Sequence, residues 1–243
     1  MSARAVSALV TGGSGGIGAA IVRSLASAGH RVVFTHVGQQ AEAEALVTEL
    51  TSNGFQARGL ESNCADEKSV QDLCADVRPQ ILIHCAGIAR DRAIWKQETS
   101  DFDAVMGVNL RGAWLLTRAA APAMREAGWG RVIYLGSING SRGKFGQTTY
   151  AASKAGLIGL ARSVAKEMGR KGVTANVIEP GWIDTPMTLA VPAEFREAAC
   201  EETMTGALGK PEDIAATVDY LIGDGARQVT GQVIRVDGGQ LWN

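Results

Sequence analysis

The sequence predicts an α/β fold: a single domain on a doubly wound, parallel, seven-stranded sheet with helices on both faces. Three observations predict it. Short β-branched apolar runs alternate with longer stretches of helical spacing, which implies crossover connections between parallel strands. The strand runs are continuously apolar, as strands covered on both faces should be. Glycine closes the first helical stretches just after their last apolar position.

In chain order, VSALV is the first strand and TGGSGGIG (Thr11 to Gly18) a glycine loop, followed by the helical stretch IGAAIVRSLASAG. RVVFT is the second strand, AEAEALVTELTSNG a helix, FQARGL the third strand and QILIH the fourth. FDAVMGVNLRGAWLLTRAAAPAM and TYAASKAGLIGLARSVAKEMG are long helices that flank the fifth strand, RVIYLGS. VTANVIEP is the sixth strand, and QVIRVDG, after a last helix, the seventh. One stretch breaks the rhythm. TPMTLAVPAEFREAACEETMTGALGKPED holds three of the six prolines and mixes apolar with charged residues, which predicts a substrate lid at about 185–209. No repeat, low-complexity tract or linker divides the chain, so 1–243 reads as one domain.

Composition excludes several classes. At 243 residues, 46% hydrophobic, 20% charged and a net charge of -1, the chain suits a soluble globular protein, not a nucleic-acid binder, which needs a basic excess. No apolar run approaches the ~20 residues that cross a bilayer. The stretch MSARAVSALV lacks the regions of a signal peptide. Cys64, Cys74, Cys85 and Cys200 form no CxxC, and His30, His36 and His84 no cluster. A reduced, cytoplasmic protein without a metal, a nucleic-acid partner or a membrane partner is expected.

Glycines 12, 16 and 18 let backbone amides approach a diphosphate, and the helix N-terminus favours its negative charge. The strand before, the helix after and the second strand supply the context this reading requires; a bare tight turn is the alternative. A free ribose 2′-hydroxyl usually meets an acid about 20 residues past the glycines. In FTHVGQQAE the first acid is Glu42, which comes too late, and Thr35 and His36 stand where a carboxylate would repel a 2′-phosphate. The reading favours NADP(H) over NAD(H).

YAASK places Tyr150 and Lys154 four apart, on one face of a helix. Ser137 ends the fifth strand, at the carboxyl edge where open parallel sheets bind ligands, and Asn109 lies on the helix after the fourth. Four polar residues thus converge on one crevice. Singly each has a plain structural reading; jointly they point to chemistry. A free phenol titrates near 10, so an acid–base role near neutrality asks for a nearby cation that lowers it.

In these motifs the chain resembles the short-chain dehydrogenase/reductase family over essentially its whole length, with a Rossmann fold implied. TGGSGGIG, HCAG, VNL, the serine of GSING, YAASK and EPGWIDT match in order and spacing. HCAGIARDRAIWK, GWGRVIYLGSINGSRGKFGQTTYAASKAGLIG and GQVIRVDGG are most similar to the 3-oxoacyl thioester reductases of that family, which act on carrier-protein or CoA thioesters. The resemblance implies that Asn109, Ser137, Tyr150 and Lys154 are catalytic. Tyr150 would donate the proton, Ser137 hold the carbonyl oxygen, Lys154 hold the nicotinamide ribose and Asn109 hold a relay water. It implies cofactor contacts at Gly12, Ser14, Gly15, Gly16, Ile17 and Gly18; at His36; at Asn63 and Cys64; at Cys85, Ala86 and Gly87. Further contacts fall at Tyr150 and Lys154 and at Pro180, Gly181, Ile183 and Thr185. For substrate it implies Ser137, Asn139, Phe145, Gln147, Tyr150 and Trp182.

The chain departs from the family at His84 and Cys85, where asparagines are usual, at Gly15, where many NADP-dependent relatives carry arginine, and in the short segment VRPQILIH. The expected activity is NADPH-dependent reduction of a 3-oxoacyl thioester to the 3-hydroxyacyl form. The alternatives are a dehydrogenase of a small alcohol, sugar or steroid, and a non-catalytic dinucleotide-binding scaffold. The two long helices are apolar or small around most of their circumference, with Trp114, Leu115, Leu157 and Leu160 expected on their outer faces. Together with the resemblance, this predicts a homotetramer, with a dimer as the simpler outcome.

Overall fold

Alternate residues of the first strand, β1 (Ser7–Thr11), serve opposite layers: Ala8 and Val10 enter one hydrophobic cluster and Leu9 the other. The same division runs through β2 (Arg31–His36), where Val32 and Phe34 oppose Val33, and through β4 (Ile81–His84), where Ile81 and Ile83 oppose Leu82. Continuous apolar runs are therefore two interleaved faces, each needing its own helical cover. With β3 (Ala57–Glu61), β5 (Gly130–Leu135), β6 (Val173–Pro180) and β7 (Val233–Val236), these strands form one parallel sheet in the order β3-β2-β1-β4-β5-β6-β7. The computed structural model describes residues 5–189 and 191–242; residue 190 of the expected lid and the first four residues lie outside the described residues.

One face is covered by α1 (Gly16–Ser27), α2 (Gln40–Ser52) and, late in the chain, α10 (Pro211–Ile222). Ile21 and Leu25 of α1 are fully buried there, each contributing about 1.5–3 kcal/mol. The other face is covered by α3 (Glu67–Val77), α5 (Gly112–Ala127) and α7 (Thr148–Met168). Asp66 caps α3 by accepting from the Ser69 amide at 2.6 Å. The helix stops at Arg78, in the left-handed region (φ 45°), just ahead of Pro79, which is how VRPQILIH stays short.

The long helix expected around Asn109 is one rod with a fault in it. It runs as α4 (Thr99–Met106), a π-helical turn (Gly107–Arg111) and then α5. Such turns widen the helix locally and are frequent at functional sites. The fifth strand stops earlier than expected, at Leu135; Ser137 is the N-cap of the short α6 (Ile138–Arg142). The lid region carries α8 (Pro186–Leu189) and α9 (Ala193–Glu201). Among the described residues no helix is long and apolar enough to cross a membrane.

On the outer faces of α5 and α7 one expectation needs correction. Leu115 and Leu157 turn inward and are buried, whereas Trp114 is exposed and Leu160 partly buried. Adjacent helical positions lie about 100° apart, so Trp114 and Leu115 cannot share an outward face. Between the two helices runs a groove of about 680 Å³, lined by Trp114 and Leu160 but also by Arg118, Arg125, Glu167 and Lys171.

Candidate active site

The strand order reverses between β1 and β4, and a crevice outside their carboxyl ends is where such sheets bind ligands. The glycine loop opens there. Gly15, extended, is the N-cap of α1 and supplies no side-chain cap, which leaves the first amides of the helix for an external anion. A Cβ on Gly18 would lie 2.0 Å from the Gly12 carbonyl oxygen, so only glycine lets the loop fold this tightly onto the helix. Thr185 closes over the same loop, its methyl 3.4 Å from where a Gly16 Cβ would stand. At the end of β2, His36 is buried with Nδ1 lacking a hydrogen-bond partner among the described residues. Buried polar atoms are normally satisfied, so this nitrogen suits a ligand oxygen. These features fit a dinucleotide.

The remaining positions differ in character. Ser14 donates to Gln39 Oε1 at 2.7 Å. Asn63 is exposed and its side chain accepts from the Ala65 amide, while the Cys64 side chain is buried against Gly112. A Cβ on Gly12 would lie 2.9 Å from the Ala86 Cα, so the loop after β4 packs directly on the glycine loop. Cys85 is half-buried, its thiol pushed up to about 11 by burial. Pro180 and Ile183 are buried, and Gly181 lies against Asp237 and Gln240.

His84, in place of the family's asparagine, is completely buried at the end of β4. The Ala86 amide donates to Thr11 Oγ1 at 3.2 Å, so the Thr11 hydroxyl proton is free to go to His84 Nδ1, 3.0 Å away. Nε2 then carries the ring proton and donates to the Asn109 carbonyl oxygen in the π-turn, at 3.3 Å. Burial first, and then the Lys154 ammonium, push the imidazole down to about 3, so it stays neutral. The Asn109 side chain is a strut: it donates to the Ile88 carbonyl and to Ser153 Oγ, both at 3.0 Å, and accepts from the Ile88 amide at 2.8 Å.

Ser137 acts on the Tyr150 phenol, favouring its deprotonated form. Lys154 sits below the phenol, its Nζ 5.6 Å from the ring centroid, and donates to the Leu135 carbonyl at 2.8 Å. A Cβ on Gly87 would lie 3.1 Å from that Nζ and 3.4 Å from Asn109 Oδ1, so the loop after β4 closes on both groups. The four expected catalytic side chains are therefore brought together. Their electrostatics differ from expectation. Burial pushes the Tyr150 phenol up, Ser137 opposes this only in part, and the charge of Asp91 adds to the rise. Burial also lowers Lys154 to about 8. The Lys154 ammonium is aimed at a backbone carbonyl, and desolvation is the largest influence on the phenol.

Two of the expected substrate residues are joined in a short chain of hydrogen bonds. Asn139 Nδ2 donates to Gln147 Oε1 at 3.0 Å, and Gln147 Nε2 donates to Asp91 at 2.7 Å. Lys144 Nζ stands 5.3 Å from the Trp182 ring centroid, and exposed Phe145 packs edge-on against Trp95. Sequence reasoning missed Asp91, Trp95 and Ser153. Ser153, three residues past Tyr150, was legible from helical spacing; a tryptophan next to Lys96 in the charged stretch RDRAIWK was the signal for Trp95.

The fold and this crevice define an oxidoreductase built for a nicotinamide dinucleotide. The chain belongs to the short-chain dehydrogenase/reductase family: a family described as enoyl-(acyl carrier protein) reductase matches residues 12–240. It is 38% identical to nodulation protein G of Azospirillum brasilense, over 96% of each chain. It is also 38% identical to the 3-oxoacyl-(acyl-carrier-protein) reductase FabG of Pseudomonas aeruginosa, over 98% of each. The acetoacetyl-CoA reductase of Allochromatium vinosum is 38% identical, over 96% of this chain and 97% of that one. A crystal structure described as a candidate gluconate dehydrogenase from Agrobacterium tumefaciens superposes with a TM-score of 0.93 at 30% identity, over 98% of this chain and 96% of that one.

Proposed function

We propose that this protein reduces a 3-oxoacyl thioester, carried on CoA or a carrier protein, to the 3-hydroxyacyl thioester with NADPH. The observation that carries the chemistry is the Tyr150 phenol with the Lys154 Nζ 5.6 Å from its ring centroid and Ser137 acting to lower its proton affinity. The names of the relatives at 38% identity support the substrate class. When bound, the reduced nicotinamide supplies a hydride to the carbonyl carbon. Tyr150 Oη gives its proton to the carbonyl oxygen, and Ser137 Oγ donates a hydrogen bond to the same oxygen as negative charge builds there. A phenol raised by burial keeps its proton at neutral pH, which suits an acid working in the reductive direction. Lys154 stabilises the phenolate left behind and holds the nicotinamide ribose. Asn109 keeps the loop after β4 in place, and a water in the π-turn would return protons to Lys154.

The unpartnered His36 Nδ1 and the absence of an acid before Glu42 support NADPH over NADH. Residues 185–209 act as the substrate lid in this reading, and the protein works as a cytoplasmic homotetramer. The likeness to the candidate gluconate dehydrogenase favours a second reading, oxidation of a sugar acid or polyol. Absorbance at 340 nm decides between them. Acetoacetyl-CoA should consume NADPH readily, gluconate with NADP+ should produce little, and the reverse result overturns the proposal. No turnover with any carbonyl or alcohol would point to a dinucleotide-binding scaffold.

A further inference from the structure

Two large aromatic side chains stand almost free in solvent beside the candidate site: Trp95 is 74% exposed and Phe145 82% exposed. They come from different elements, the strap after β4 and the loop before α7, yet their rings meet edge to face with centroids 6.4 Å apart. The strap and the loop are held together at their backbones, the Arg92 amide donating to the Gly146 carbonyl at 2.9 Å. The pair is tied to the chemistry, because Gln147 of the same loop bonds Asp91 of the same strap, and Asp91 acts on the Tyr150 phenol. Neither ring contributes to the core. Keeping two such rings in water is unfavourable unless a ligand covers them.

The charges beside the pair indicate which ligand. Of the five basic side chains on residues 88–98 and 142–147, Arg90 and Arg92 face Asp101 and Arg142 pairs with Glu202, while Lys96 and Lys144 make no ion pair among the described residues. Lys96, next to Trp95, is exposed, and Lys144 beside Phe145 reaches over the Trp182 ring. Apolar faces next to ammonium groups match a flexible amide-containing arm that ends in a phosphate. We infer that Trp95 and Phe145 clamp the pantetheine arm of the acyl thioester and that Lys96 and Lys144 receive its phosphate. This inference rests on the thioester reading and extends it to Trp95 and to the arm's phosphate, which CoA and carrier-protein substrates share.

The test uses the full chain with NADP+ bound and two probes that lack adenosine, pantetheine and 4′-phosphopantetheine, titrated by NMR. Wild type should bind the phosphorylated probe more tightly. Trp95→Ala should weaken both probes about tenfold, as loss of an aromatic anchor does. Lys96→Ala with Lys144→Ala should bring the phosphorylated probe to the level of pantetheine. In turnover, the double change should raise KM for acetoacetyl-CoA about tenfold more than for the N-acetylcysteamine thioester, which has no phosphate. An acetoacetyl carrier-protein arm then shows whether the same residues serve the protein-borne phosphate. If wild type reduces acetoacetyl-CoA while Trp95→Ala binds phosphopantetheine undiminished, the clamp is overturned and the thioester reading stands. If binding depends on Trp95 but no thioester is reduced, the activity reading fails and the site remains. A Trp95→Ala change that instead alters the particle mass in light scattering overturns the clamp, because a second copy would then be what covers the pair.

Discussion

His84 Nε2 lies 3.3 Å from the Asn109 carbonyl oxygen, so a neutral imidazole ties the end of β4 to the π-turn of the neighbouring helix. The position titrates far from its ordinary value of 6.5, being held down at about 3. Between those values the unfolded chain binds the proton and the folded one does not, so stability falls as pH drops below 6.5. At pH 5 the linkage amounts to ~2 kcal/mol. Chemical denaturation at pH 7 and pH 5 should show a steeper loss for wild type than for His84→Asn, which has nothing to titrate. Parallel losses in the two proteins would refute a neutral, buried His84.

Gly87→Ala should impair catalysis more than stability. The added methyl would sit 3.1 Å from Lys154 Nζ, which is pinned to the Leu135 carbonyl and can yield only by leaving it. A shift of a few tenths of an ångström in a catalytic group is expected to lower kcat about tenfold. Paired kcat and thermal-melt measurements check this. An unchanged kcat would mean that the lysine's position is not critical.

Tyr150→Phe removes the proposed acid and leaves the cofactor cradle intact. Turnover should fall by ~100-fold or more while NADPH binding, read by fluorescence titration, stays within a few-fold. Because the phenol lies above its ordinary value of 10, the wild-type reductive rate should stay flat through neutral pH and decline only in alkali. A decline beginning near neutrality would assign the limiting acid elsewhere.

His36→Asp sets a carboxylate at the end of β2, where the 2′-phosphate is proposed to lie. Preference, as the ratio of kcat/KM for NADPH to that for NADH, should move toward NADH by about tenfold or more. A wild-type enzyme that already prefers NADH would contradict the assignment from the outset.

Assembly provides a further prediction. The α5–α7 groove, with exposed Trp114 beside charged residues, is expected to be covered by the same helices of a second copy. Light scattering at micromolar concentration should report a tetramer, or a dimer if only this contact forms. A single 25.4 kDa particle would exclude both.

Local periodicity alone determined the architecture. The runs RVVFT and VTANVIEP fall inside β2 and β6, and TGGSGGIG bends as expected, because strand burial and glycine turns are properties of a few consecutive residues. The meeting of Ser137, Tyr150, Lys154 and Asn109 was legible too, from their places at strand ends and on one helical face. What tertiary structure alone decided is how each group is solvated and aimed. Spacing put a cation four residues from a phenol, but packing turned that cation to the Leu135 carbonyl and buried the phenol, so its affinity for protons rises. Similarly, composition made Leu115 and Leu157 look outward, and only the neighbouring sheet shows that they point in. The π-turn, the His84 strut and the Trp95–Phe145 contact each join residues distant in the chain. Desolvation and hydrogen-bond direction depend on such distant neighbours, and the spacing of residues along the chain does not encode them.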